Sequence, residues 1–437
     1  MLSLAGAPLR AEADAVAAGG PDPEPEITRK LMDLQVQIDQ LKAELDQAKK
    51  ARAAAAATAS VPAAAPSEPA PAAAPAPQEP AATAAATTAP EKPTLKSILA
   101  PTTVNGFVDV YYGYNFNHPQ NQRTNYRAFD APDNQFSLNQ VQIRLDKSVD
   151  ASSRLGYRFS FGYGNSMNVI NAADAGGIGF GQYMEEAYLT YLAPIGKNGL
   201  QVDVGKMVTP HGAEVIESKD NWNYSRGLLY TYAIPFYHFG IRSKYTWNSK
   251  VALSGHIVNG WNNVVDNNTG KTYGVTLFLN PSSKVAITQN YMAGPEMAGI
   301  NQNWRQLADT IVSITATDKL SFTFNYDYGR GDNIGLPEPA RWQGIAGYVR
   351  YAFDPAHAFT VRYELFDDPT GFTTGTVQQL KEVTATFEKK VSGSLITRLE
   401  YRHDYSNQPT YMKGSGTPVK SQDTLAAALI YVFSSND

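Results

Sequence analysis

Leu320-Ser321-Phe322-Thr323-Phe324-Asn325-Tyr326-Asp327-Tyr328 alternates large apolar and small polar side chains without a break. Successive side chains of a strand point to opposite faces, so Leu320, Phe322, Phe324, Tyr326 and Tyr328 share one face. Ser321, Thr323, Asn325 and Asp327 share the other. Such a strand separates an oily medium from a wet one. Seen once, it fits a half-buried strand of a soluble sandwich. Here the pattern recurs from Val104 to Phe433, where about sixteen segments can be extended to the roughly 9 to 11 residues of a tilted membrane strand. In one of them Leu155, Tyr157, Phe159, Phe161 and Tyr163 face one way and Gly156, Arg158, Ser160 and Gly162 the other. An arginine turned to lipid at the midplane costs about 2 to 4 kcal/mol, so Arg158 should face a lumen.

The connections alternate in length. Turn chemistry marks the short ones, among them Ser148–Ser153, Asn248-Ser249, Thr317-Asp318 and Lys390–Gly393. The long ones are Asn117–Gln135, Asn165–Gln182, Val208–Tyr237, Gly260–Lys271, Ala293–Trp304, Arg330–Arg341, Asp367–Val377 and Asp404–Gln422. Short periplasmic turns with long outer loops are the habit of outer-membrane barrels, whereas a soluble sandwich has no reason to alternate in this way. The expected fold is therefore an all-β transmembrane β-barrel of about 16 antiparallel strands.

Composition agrees. The formal net charge of −4 gives no basic excess for nucleic acid, and the absence of Cys excludes thiolate metal sites, disulfides and cysteine nucleophiles. No apolar run is long enough for a membrane helix. The 25 Tyr and 18 Phe suit the aromatic girdles that barrels place at both membrane interfaces.

Ahead of the barrel the chain changes character twice. Residues 1–26 read as a signal-like, disordered N-terminus, with an apolar Leu2–Leu9 and an Ala11-Glu12-Ala13 site. The usual cationic leader is missing, which places the expected true start upstream. Ile27, Leu31, Leu34, Ile38, Leu41, Leu45 and Ala48 are spaced alternately by four and three, giving a coiled-coil helix over 27–52. Residues 53–103 form an Ala/Pro-rich linker with too few large apolar side chains to offset ordering entropy, an expected disordered periplasmic spacer. The barrel takes 104–437. Its last strand alternates Leu425, Ala427, Leu429, Tyr431 and Phe433, which resembles the terminal signal read by the barrel assembly machinery. In this chain Ser434 to Asp437 follow the aromatic.

A barrel of this size encloses water, so function rests on what lines it. Strand parity turns Arg144, Arg158, Arg242, Lys244, Arg350, Arg362, Glu364 and Arg398 inward. Lys206 breaks parity with Asp203 and is placed at the strand end, by the pore mouth. Val208–Tyr237, the third long connection, carries His211, Glu214 and Arg226 and is expected to fold into the channel. Arginine and lysine outnumber acids in this set, which leans selectivity towards anions.

Three central runs then carry a resemblance. Gly205-Lys206-Met207-Val208-Thr209-Pro210-His211-Gly212-Ala213-Glu214, Asn221 to Tyr230 with Ser225-Arg226-Gly227, and His238-Phe239-Gly240-Ile241-Arg242 are similar to the beta-barrel porin-2 family of OmpL-like outer-membrane proteins. The resemblance spans roughly Asn105 to Phe433 and implies a porin for small hydrophilic solutes in a bacterial outer membrane. It leaves out the helix and the linker. A structural tether from outer membrane to cell wall is the alternative those N-terminal parts suggest.

Enzyme readings find no purchase. The six histidines show no HExxH or similar metal spacing, and no nucleophile elbow stands out. Gly176-Gly177-Ile178-Gly179-Phe180-Gly181 lacks the following helix that a phosphate cradle needs, and His256 near Ser254 reads as two wall residues. No catalytic, metal or cofactor residues are expected. The partners are outer-membrane lipid, the assembly machinery, and further copies of the chain, most simply a trimer joined by the helix. Replacing Leu34, Ile38 and Leu41 by Asp should weaken association of the N-terminal segment in sedimentation experiments while leaving the barrel's heat-modifiability intact.

Overall fold

Strand alternation does become a closed cylinder. The computed structural model describes residues 101–172, 174, 179–332 and 338–435. The N-terminus, the coiled-coil helix and nearly all of the linker expected over 1–103 lie outside the described residues, as does part of the glycine-dense run. The strands are β1 (Thr103–Asn115), β2 (Gln135–Lys147), β3 (Leu155–Tyr163), β4 (Met184–Ala193), β5 (Leu200–Val208) and β6 (Tyr237–Asn248). They continue with β7 (Val251–Val258), β8 (Thr272–Ser282), β9 (Val285–Met297), β10 (Ile300–Thr315), β11 (Leu320–Gly331) and β12 (Ala340–Ala352). The last are β13 (His357–Asp368), β14 (Gln378–Lys390), β15 (Leu395–Ser406), a small hairpin of β16 (Tyr411–Met412) and β17 (Pro418–Val419), and β18 (Ser421–Ser434). All but the hairpin join one closed barrel of 16 strands in which chain neighbours pair. β1 and β18 seal it, antiparallel from Asn105↔Ser434 to Asn115↔Thr424.

The faces follow the sequence. Along β11, Phe324, Tyr326 and Tyr328 are exposed on the outside, whereas Thr323, Asn325 and Asp327 are buried inside. Exposed aromatics gather in two belts. Trp247, Tyr351, Phe353, Phe387 and Tyr431 lie near the short-turn end, and Tyr163, Tyr273, Tyr291, Trp304, Tyr328 and Tyr405 near the long-loop end. Their amphipathic rings suit the headgroup levels of a bilayer. Short turns are fixed by side-chain caps: Asp150 Oδ1 accepts from the Ser152 and Ser153 amides at 2.7 Å, and Asn248 Oδ1 from the Lys250 amide at 2.8 Å.

One connection differs from expectation. Ala293–Trp304 is not a long loop, because β9 and β10 keep pairing out to Met297↔Ile300 and reverse at Gly299, whose φ of 71° suits a residue without Cβ. Asn165–Gln182 contains a short helix, α1 (Asn165–Asn171), and Val208–Tyr237 contains another, α2 (Leu228–Tyr232). α1 packs against β2 and β3, and α2 against β12, β13 and β14, so each helix lies on the inner wall. An arginine at Phe324, on the lipid face, should cost about 2 to 4 kcal/mol in urea unfolding from vesicles, and one at Thr323, on the inner face, much less.

Candidate channel constriction

Why the third long loop turns inward is visible in its backbone bonds. A neck closes it where the Thr209 amide donates to the Phe236 carbonyl at 3.0 Å. Between those residues little regular structure forms, so most amides and carbonyls need other partners. The inner wall supplies them. Asp309 Oδ2 of β10 accepts from the Gly212 amide and Asn325 Oδ1 of β11 from that of Ala213, both at 2.8 Å. Glu400 of β15 takes the Tyr224 and Ser225 amides at 2.6 and 2.9 Å. Arg398 donates to the carbonyls of Ser218 and Asn221 at 2.6 Å, and Arg402 to that of Arg226 at 2.8 Å. Asp109 of β1 accepts from the hydroxyls of Ser218 and Tyr224 at 2.6 and 3.1 Å. The loop is thus laced to strands on several sides of the lumen.

The residues singled out from sequence take three kinds of position. Arg362 is fully buried, donates to Glu214 and Glu382 at 2.7 Å each, and also reaches the Ser225 carbonyl at 2.6 Å. Glu214 is shared between Arg362 and the Gly227 amide, and Glu364 accepts the Leu228 amide at the start of α2. Arg226 is buried with the loop, donating to the carbonyls of Tyr224 and Ile216. Arg398 also meets Glu388 at 2.7 Å. Arg226 ties the loop to itself, and the other four groups hold loop to wall.

Arg144, Arg158, Arg242 and Arg350 instead keep part of their guanidinium surface open, beside Glu217, Asp146, Asp203 and Glu388 respectively. Arg158 and Arg242 both approach the Tyr188 ring, at 5.8 and 5.6 Å from its centre. Lys244 sits 4.5 Å above the Phe278 ring. Lys206 and His211 form the third kind. Lys206 lies buried near the long-loop end of β5, donating to Asn171 Oδ1 at 2.6 Å and the Met184 carbonyl at 2.7 Å, so α1 covers it. His211 joins His238 and His256 in a cluster with ring centres 5.6 to 6.4 Å apart. Among the described residues no trio of His, Cys, Asp or Glu is arranged to hold a metal ion. Ser254 donates to the Ser243 carbonyl, away from His256.

Sequence reasoning missed two groups. The buried carboxylates Glu186, Glu382 and Glu388 neutralise the inward arginines, and buried Glu185 accepts from the amides of Gln140 and Gln142. Glu382 and Glu388 were legible from parity, but a bulge at Ser160/Phe161 disrupts it around Glu185 and Glu186. Apolar residues also face inward at the long-loop end, with Met292, Leu307, Trp342, Phe366 and Leu380 packed against the loop. Their inward parity was the available signal. Burial alone would lift the Glu217 carboxyl, yet the Arg144 guanidinium and the Gln142 amide hold it below the usual carboxylate range. Beside the loop a cavity of about 210 Å³ remains, lined by Glu214, Asp220, Trp222, Thr323 and Tyr348 among others.

A closed barrel with one loop laced across its lumen is a porin's architecture, and the sequence match agrees. Residues 101–433 match the family described as "Putative beta-barrel porin-2, OmpL-like". The chain belongs to that family. Comparison with curated proteins finds no match. Among solved structures it is similar to Salmonella typhi OmpF in complex with daunomycin, at 12% identity over 76% of this chain and 97% of that one, with a TM-score of 0.52. It is also similar to an anion-selective porin from Comamonas acidovorans (10% identity, 76% and 99% covered, TM-score 0.51). The trimer form of in-vitro folded OmpT from Vibrio cholerae gives 12% identity, 76% and 99% coverage and a TM-score of 0.50. At such identities the shared feature is the barrel fold. Family and fold are those of an outer-membrane channel.

Losing Arg362 would leave buried Glu214 without a cation and Glu382 with Arg402 alone, at 3.4 Å. Arg362→Met should therefore lower barrel stability by about 3 to 5 kcal/mol in thermal loss of the heat-modifiable gel band. Combining it with Glu214→Gln and Glu382→Gln should restore part of that loss.

Proposed function

We propose that this porin passes small hydrophilic solutes by diffusion and favours anions. One observation carries the sign. In the partly open ion pairs of the lumen the cation generally meets water and the anion lies behind it. Arg242 keeps 22% of its side-chain surface open against 1% for Asp203. Arg158 keeps 30% open against 2% for Glu186, its second partner at 3.5 Å. Arg144 and Arg350 stand in the same relation to Glu217 and Glu388. A net-neutral pair oriented in this way still presents a positive dipole end to a passing ion, in a confined space where such fields are poorly screened. Asp146 and Asp220 are the open carboxylates that work against it.

Assembly belongs to the same reading. A heptad seam over 27–52 and a flexible spacer would let the helices of several copies meet in the periplasm beneath their barrels. We take a homotrimer as the simplest case, in keeping with the trimer form of the Vibrio cholerae protein.

Reversal potentials in planar bilayers under a potassium chloride gradient test the sign. The wild type should show chloride permeating faster than potassium, and Arg158→Glu with Arg242→Glu should move the reversal potential towards the potassium value. Potassium preference in the wild type would refute the anion assignment. Silence from a well-folded barrel at both neutral and acid pH would favour the cell-wall tether.

A further inference from the structure

The long-loop half of the lumen holds a packed apolar cluster. The cluster crosses it, from Met167 and Ile170 of α1, on the β2–β3 wall, to Trp342 and Phe366, nearly opposite on β12 and β13. Every buried member of the cluster is at most 5% exposed. The third loop supplies its centre. Leu229 seats so closely on β12 that a methyl added at Gly344 would meet its Cδ1 at 2.7 Å. Tyr230 and Phe236 each pack on Phe129 of the first long loop, with ring centres 5.6 Å apart. An ion crossing such a seal would shed most of its hydration, and hydrophobic constrictions block conduction by such dehydration. The charges that border it, Arg226 at 5.0 Å from the Phe129 ring and Arg305 at 5.1 Å from that of Trp261, are cations that would repel potassium.

The loop is also rooted on a cluster that suits only neutral imidazoles. Thr209 Oγ1 lies 3.1 Å from both His211 Nδ1 and His238 Nε2, and the other nitrogen of His238 faces the Gly260 carbonyl at 3.0 Å. His211 Nε2 and both nitrogens of His256 are buried without a partner. The groups facing His211 offer no countercharge. β6 brings His238 and Arg242, the latter held by Asp203; β7 brings His256, with Gly274 of β8 beneath it. β9 brings the Asn290 amide, spent on the Pro210 carbonyl and on Asp309. Asp309 of β10, which accepts the amide next to His211, is already taken up by the Gly212 amide, Asn290, Asn325 and Asp327 of β11.

We propose that the third loop is a gate, shut by this apolar seal at neutral pH and released when His211 takes a proton into the histidine cluster. The inference rests on the channel reading above. Burial, with His238 and His256 beside it, holds the His211 imidazole well below its ordinary value. The sign follows. The closed form resists the proton and a loop withdrawn into water does not, so closure is favoured above about pH 6.5 and loses ground below it. Two pH units lower, the balance shifts towards open by on the order of 100-fold, provided the closed-form value lies lower still.

Full-length protein in planar bilayers tests this. Mean conductance should be low near pH 7.5 and rise at least about tenfold near pH 5. His211→Phe keeps a packed ring that cannot titrate, and His211→Gln keeps a bond to Thr209; both should stay low at either pH. Leu229→Asp, which wets the seal, should conduct already at pH 7.5. An acid rise of equal size in His211→Phe would overturn the proposal, because His238, His256 or the wall carboxylates would then be the trigger. So would a wild type fully conducting at pH 7.5 and unchanged by Leu229→Asp. Silence at both pH values even in heat-modifiable Leu229→Asp would instead refute the channel reading.

Discussion

Hydrocarbon offers no hydrogen bonds, so every amide and carbonyl of a membrane-spanning strand must find its partner in a neighbouring strand. Closure of β1 on β18 meets that demand for the whole wall at once, since an open sheet would leave two unpaired edges in lipid. The remaining features follow from this closure. A cylinder has an outside that must be apolar and an inside that need not be, and the period of two assigns successive residues to each.

The same demand reappears inside, in another form. The third loop has little regular structure and lies where water is scarce, so charged and amide side chains of the wall take the place of neighbouring strands. Glu400 receives consecutive amides, and Arg398 donates to carbonyls several residues apart. Buried ion pairs of this kind add little net stability compared with apolar packing, because desolvation offsets their attraction. Their effect here is positional. Asp109, Arg362, Glu364 and Arg398 bond to specific loop atoms, so the loop has one place to sit.

The lumen consequently has two halves of unlike chemistry. Towards the short turns, arginines stand in front of their carboxylates and meet water. Towards the long loops, α1, α2 and inward apolar residues make a packed interior of the kind found in soluble proteins. Polar anchors encircle an apolar centre, an arrangement that holds firmly while its charges stay fixed and becomes vulnerable where an unpartnered group such as His211 can change charge.

The sequence by itself determined the barrel, its strand number, the alternation of turns and loops, and the inward turn of the third long loop. The first three depend on local alternation and local turn chemistry, which the chain writes residue by residue and which fails at Ala293–Trp304. The loop's inward turn, in contrast, is read from its length and is held by side chains of distant strands. It also placed Arg158, Arg242 and Arg362 in the lumen, because parity does not depend on what lies across the channel. Only the tertiary structure separated Arg362, sealed between Glu214 and Glu382, from Arg242, open to water in front of Asp203. It alone showed that β9 and β10 run on through Ala293–Trp304, and that His211, His238 and His256 converge. These facts depend on which residues meet across a cylinder, at separations along the chain that no local pattern records.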